Sequence, residues 1–146
     1  MNTLRARLPA VLAGFWWASL STVGFFVVPM LFVHLQPAAV AGNMAARLFT
    51  GQTWIGVACG MLLLAVLRRR DEENEATPVT AVVYRTIALV LAGMLLALLA
   101  EFAVAPHIIA RENLKLWHGV GSAMYLLQWL CAASVFWRLL RPASRS

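Results

Sequence analysis

The sequence predicts an all-α protein, a bundle of four transmembrane helices with both termini on the cytoplasmic side. Three observations predict it. Of 146 residues, 62% are hydrophobic and only 12% charged, with a mean hydropathy of +0.77; a soluble domain carries roughly 25% charge. Four apolar stretches, at about 8–33, 49–67, 81–105 and 114–140, approach or exceed the ~20 residues that cross a bilayer. The basic residues alternate between the two sides. Arg5, Arg7, Arg68, Arg69, Arg70, Arg85, Arg138, Arg141 and Arg145 fall on one side, against Arg47, Arg111 and Lys115 on the other. The positive-inside rule places the larger group in the cytoplasm. The same pattern accounts for the net charge of +6 without nucleic acid as a partner; the expected partner is the lipid bilayer. The spans take up nearly all of residues 1–146, which reads as a single four-span domain.

The first stretch follows a basic start, as a signal peptide does. Its run of about 26 residues exceeds the ~7–15 of a signal core, and no small-residue cleavage site closes it. It reads as a retained span. Gly14, Ala18 and Ser21 recur at helical spacing and would let another helix approach, while Trp16 and Trp17 read as anchors near the cytoplasmic headgroups. Pro29 should kink this helix, since its ring clashes with the Phe25 carbonyl and it has no N–H. Residues 34–48 form the expected first outer loop, with Val40, Met44 and Leu48 marking a short surface helix over 38–49 that leads into the second span. That span carries a GxxxG pair, Gly56 and Gly60, with Gln52 and Thr53 near its outer end. The loop 68–80 is polar, its arginines offset by nearby acids. In the third span Gly93, Ala97 and Glu101 share a stripe, so Glu101 should face another helix. Pro106 bends or ends this helix. The fourth span carries His118, Ser122, Tyr125 and Trp129 on one stripe. Cys59 and Cys131 lie inside spans 72 residues apart, which reads as apolar filler.

An internal echo links two of these segments. FFVVPMLFVH (25–34) resembles EFAVAPHII (101–109), with Pro29 aligned on Pro106 at an offset of 77 residues. Both copies leave the membrane in the same direction, which implies a parallel two-hairpin repeat about an axis along the membrane normal.

The polar groups gather toward the outer face: His34, Glu101, His107 and His118, with Gln52 and Asn43 nearby. An acid within a span costs about 2.5–3.5 kcal/mol at the centre and less near an interface, so Glu101 should have a partner or a task. His118, Arg111 and Lys115 are the natural partners. The acid serves either a structural bond between helices or a transport, proton or ligand site. Met30, Met44, His34, His107 and His118 offer thioether and imidazole groups of the kind that hold Cu(I), and two histidines across a bundle could ligate haem. None of them has metal-motif spacing, so no cofactor is expected. No phosphate loop, nucleophile elbow or H-E-x-x-H helix is present. No catalytic residue is assigned, and the expectation is that the chain is not an enzyme.

FFVVPMLFVHL followed by AGNMAARLF and TWIGVACGMLLL, then EFAVAP and LWHGVGS, resembles the small membrane proteins of domain-of-unknown-function family 4149, the group that includes the eukaryotic transmembrane-protein-205-like proteins. The likeness covers nearly the whole chain and departs from the pattern at Asn43–Met44. It implies a four-helix integral membrane protein, here of a bacterial inner membrane, and supplies no reaction. A fold-level analogy to copper-resistance membrane domains leans toward metal handling.

Two functional expectations follow. One is a transport- or efflux-like protein with an outer-facing pocket built from Glu101, His118, His34, His107 and Ser122 and shaped by Pro29 and Pro106. The other is an accessory subunit that binds another membrane protein or a second copy of itself through small-residue faces. Copper or haem binding stands third.

Overall fold

The computed structural model describes residues 2–73 and 81–140. Arg141 and Arg145, which enter the charge-based topology, and residues 74–80 of the expected 68–80 loop lie outside the described residues; residues 68–73 are not loop but continue the second helix.

A chain in lipid must satisfy every backbone polar group internally, and long apolar segments do so as helices. The first helix runs Asn2–Thr22, passes through a π-helical turn at Val23–Val27 and continues as Val28–His34. The second is Ala38–Glu73. The third runs Ala81–Leu99, has a π-helical turn at Ala100–Val104 and ends with Ala105–Ile109; the fourth is Leu114–Leu140. No strand occurs among the described residues. Their apolar portions, Arg7–His34, Ala38–Arg69, Val83–Ile109 and Leu114–Leu140, are 28, 32, 27 and 27 residues long. At ~1.5 Å per residue, each is longer than the ~30 Å hydrocarbon core. The chain is a multi-pass membrane protein. Phe26, Val33, Leu95, Phe102 and Ile109 stand exposed on the outside of the bundle, where they meet lipid.

The first helix packs on the second and fourth, and the third also packs on the second and fourth. The four thus form a ring of up-and-down neighbours. Gly14 meets Phe136 and Gly24 meets Tyr125; Gly93 borders Cys131 while Gly121 borders Val104 and Ile108. In both pairs, and in the second helix against the first and third, contacts descend one helix as they climb the other.

Three sequence expectations change here. The first outer loop is only Leu35–Pro37, with a cis Gln36–Pro37 bond. Residues 38–49 are the N-terminal end of one unbroken 36-residue helix and not a separate surface helix. At ~1.5 Å per residue that helix is about 54 Å long, enough to cross and project. Trp16 is no headgroup anchor, since it is fully buried. Its indole spans the ring from the first helix toward the third, where a Cβ at Gly93 would lie 2.6 Å from Trp16 Cη2. Around it pack Ala13, Leu20, Leu63, Val90, Ala132 and Val135.

The prolines are absorbed by the π turns. Val28 N–H bonds the Val23 carbonyl and Ala105 N–H bonds the Ala100 carbonyl, each reaching back five residues. Pro29 and Pro106 follow directly. Widening the preceding turn moves the carbonyls that the proline ring would strike and that its missing N–H would leave unpaired. The two turns begin at Val23 and Ala100, the same 77-residue offset as the sequence echo.

Candidate functional site

Glu101 lies in the second π turn, half-buried, and its Oε1 accepts a hydrogen bond of 2.8 Å from Thr50 Oγ1 of the second helix. Gly93 and Ala97, on its stripe, are buried. The carboxylate therefore faces a neighbouring helix, but the partner expected from the sequence is not the one found. His118 is exposed and its Nδ1 lies 2.8 Å from the Leu114 carbonyl on its own helix. The reason lies in the order of the ring. The stripe of His118, Ser122, Tyr125 and Trp129 turns toward the first helix, where Tyr125 Oη donates to the Leu20 carbonyl and Trp129 Nε1 to Ser21 Oγ, both at 2.8 Å. Glu101 turns toward the second helix. The two faces never meet.

The remaining outer residues are also dispersed. His34 ends the first helix, exposed, with no hydrogen-bond partner among the described residues, and Ser122 is exposed on the fourth. His107 belongs to a cluster in the turn between the third and fourth helices. Its Nδ1 lies 2.6 Å from Glu112 Oε2, and its ring stacks on Trp117 with centroids 4.0 Å apart and planes 5° from parallel. Arg111 and Asn113 take left-handed backbone angles (φ 56° and 34°) that bring Glu112 back toward His107. Asn113 then caps the fourth helix, its Oδ1 accepting from Leu116 N–H at 3.4 Å. Met30 and Met44 are exposed on different helices. Among the described residues no group of three or more His, Cys, Asp or Glu side chains stands close enough to hold a metal ion. Cys59 and Cys131 are free thiols.

The polar groups that the fold does gather lie deeper. Gln52, Thr53 and Gln128 are 2%, 7% and 4% exposed, and Trp16 is 0%. Gln52 Nε2 donates to Ser19 Oγ at 2.9 Å, and Ser19 Oγ donates to the Trp16 carbonyl at 2.8 Å. Gln52 Oε1, Gln128 Nε2 and Trp16 Nε1 have no partner among the described residues. A buried polar group left unpaired costs about 1–3 kcal/mol, with no water in the lipid to relieve it. At ~100° per residue, Gln52 and Thr53 share the inner face of the second helix with Gly56, while Thr50 stands at the edge of that face, about 160° round from Gln52 and about 60° from Thr53. Polar side chains thus step round the second helix from the exposed Thr50–Glu101 pair, past buried Thr53, to Gln52, Gln128 and Trp16 at the centre, a stepped polar seam. Sequence reasoning named Gln52 only as a neighbour and missed Gln128. The signal was there: an amide in the middle of an apolar span, on a stripe with Gly121 and Ala132.

The family model described as Domain of unknown function (DUF4149) matches residues 11–116. The chain belongs to this family. The DUF4149 match takes in Trp16, Gln52 and Glu101 and stops short of His118 and Gln128. No curated protein and no solved structure matches the chain.

Proposed function

We propose that this DUF4149 protein is a non-enzymatic, transport-like membrane protein that passes or binds a small polar species along the seam, with Glu101 and Thr50 at its outer entrance. The observation that carries this reading is the burial of Gln52, Gln128 and Trp16 with polar atoms left unpartnered in the bundle centre. A chain selected only to sit in lipid has no use for such groups, whereas a protein handling polar cargo needs them. The seam replaces the outer pocket of Glu101 with His118, His34, His107 and Ser122. The arginine distribution supports a bacterial inner-membrane setting with both termini cytoplasmic, and the four spans act as a single domain.

Purified protein in liposomes tests the reading. Stopped-flow light scattering would follow glycerol and urea, and a trapped pH dye would follow protons. Flux above that of empty vesicles is expected for at least one of these probes, lost in Gln52→Leu and reduced in Glu101→Gln at equal incorporation. Absence of flux for all three probes would contradict it.

A second reading, an accessory subunit or homo-oligomer, draws on a different observation. Gly42, Gly51 and Gly119 each have open space where a side chain would stand, and small residues on outer faces are what a partner helix packs against. A stoichiometric membrane partner or second copy retained through purification, with flux absent, would favour it.

A further inference from the structure

We propose that the groove between the first and fourth helices holds one resident anionic phospholipid, with its phosphate on Arg7 and an acyl chain laid along the groove. The site does not depend on any solute crossing the protein. The groove measures about 440 Å³, within the ~300–1,000 Å³ of small-molecule sites. Arg7, Ala10 and Gly14 form one wall, and Phe136, Leu139 and Leu140 form the other. Spaced three and four residues apart, the first three share a face of their helix. Ala10 and Gly14 carry little or no side chain, which leaves a furrow beside the larger residues opposite. Its floor is closed where the helices touch, since a Cβ on Gly14 would lie 2.9 Å from the Phe136 ring.

Depth and charge choose the occupant. The apolar portion of the first helix begins at Arg7 and that of the fourth ends at Leu140, so the groove lies at the end of the bundle where both termini emerge. Both portions outlast the hydrocarbon core, which sets Arg7 level with the headgroups. Gly14 lies about 10 Å deeper along the helix, among the acyl chains. An apolar furrow beneath a cation suits a phospholipid, because a guanidinium grips a phosphate through two parallel hydrogen bonds. Arg7 is exposed and makes no ion pair among the described residues. Its face turns to the fourth helix, whereas Trp16 and Ser19 on the opposite side meet the second, the helix that carries Asp71, Glu72 and Glu73. The charged residue beside the groove on the fourth helix is a further exposed cation, Arg138. A second copy is the poorer occupant. Docked through the same groove about an axis along the membrane normal, it would set Arg7 against Arg7 and hollow against hollow.

The test is native mass spectrometry of the full chain, incubated in detergent with either palmitoyl-oleoyl phosphatidylglycerol or the matching phosphatidylcholine. The expected result is a single phosphatidylglycerol adduct that persists at collision energies where phosphatidylcholine is lost. Arg7→Gln should weaken that adduct about fivefold, the contribution of one cation near a membrane surface. Ala10→Leu, which fills the furrow and keeps the charge, should weaken it as well, while Lys115→Gln at the opposite end of the bundle should change nothing. Should Ala10→Leu not fold, the contrast between Arg7→Gln and Lys115→Gln decides. Equal retention of the two lipids, no retained lipid, or equal losses in Arg7→Gln and Lys115→Gln would overturn the proposal. So would a dimer in place of the adduct, since the groove would then belong to a second copy.

Discussion

The C-terminal ends of the first and third helices share a backbone, and also Phe, Val and Pro at matching positions, and differ in the side chains that do the work. Each has a π turn followed by a proline, 77 residues apart. In the first copy Gly24 occupies the place that Glu101 holds in the second, and Met30 and Leu35 stand where the second has His107 and Glu112. Gly24 lies against the Tyr125 ring, whose hydroxyl bonds the Leu20 carbonyl just before the turn. Glu101 instead reaches Thr50. One copy of the device locks two helices together by packing, and the other presents chemistry. The lesson is that the repeat carries geometry only, with side chains assigning a task to each copy.

Exchanging the two roles breaks this comparison most severely. Gly24→Leu forces a side chain into Tyr125 and should lower stability by about 1–3 kcal/mol, the usual cost of overpacking, seen as a fall in thermal midpoint in detergent. Glu101→Leu at the matching position loses one exposed hydrogen bond, so its midpoint should fall clearly less. A smaller effect is expected from His107→Ala, which removes the Glu112 bond and the Trp117 stack. An exposed pair of this kind contributes up to about 1 kcal/mol, and deuterium uptake at residues 110–113 should quicken. Met30→Ala, its counterpart, should leave uptake in that turn unchanged. The smallest effect concerns the link between the second and third helices. A double-mutant cycle of Thr50→Val with Glu101→Leu should give a coupling near 0.6 kcal/mol, typical of hydrogen bonds between membrane helices.

Much of the fold was legible because lipid permits so few solutions. Continuous apolar runs had to be helices, and the tandem prolines marked where those helices would depart from regularity, though not that the departure would be a π turn. The inward aim of Glu101 could be read from its stripe with Gly93 and Ala97. Its partner could not. Which neighbour a helix face meets depends on the order of helices around the ring, and no residue pattern in the fourth span distinguished the first helix from the third. Trp16 was misplaced for a related reason. Tryptophan in a membrane protein usually marks the interface, and only the pairing of distant Gly56 and Gly93 opens the space that admits its ring to the centre. The surface helix over 38–49 was drawn from an alanine-rich pattern that serves equally as the projecting end of a long helix.

The central claim, that a polar route enters the bundle along the second helix, is tested most directly by silver-ion accessibility. In a background with Cys59→Ala and Cys131→Ala, a cysteine would replace either Thr53, buried on the seam, or Ile55, exposed toward lipid. Blocking by silver would be read from the thiol left to react with maleimide after denaturation. The account expects Thr53→Cys to be blocked several times faster than Ile55→Cys, because hydrated ions reach a polar seam and avoid lipid. Equal rates, or faster blocking at Ile55→Cys, would contradict it.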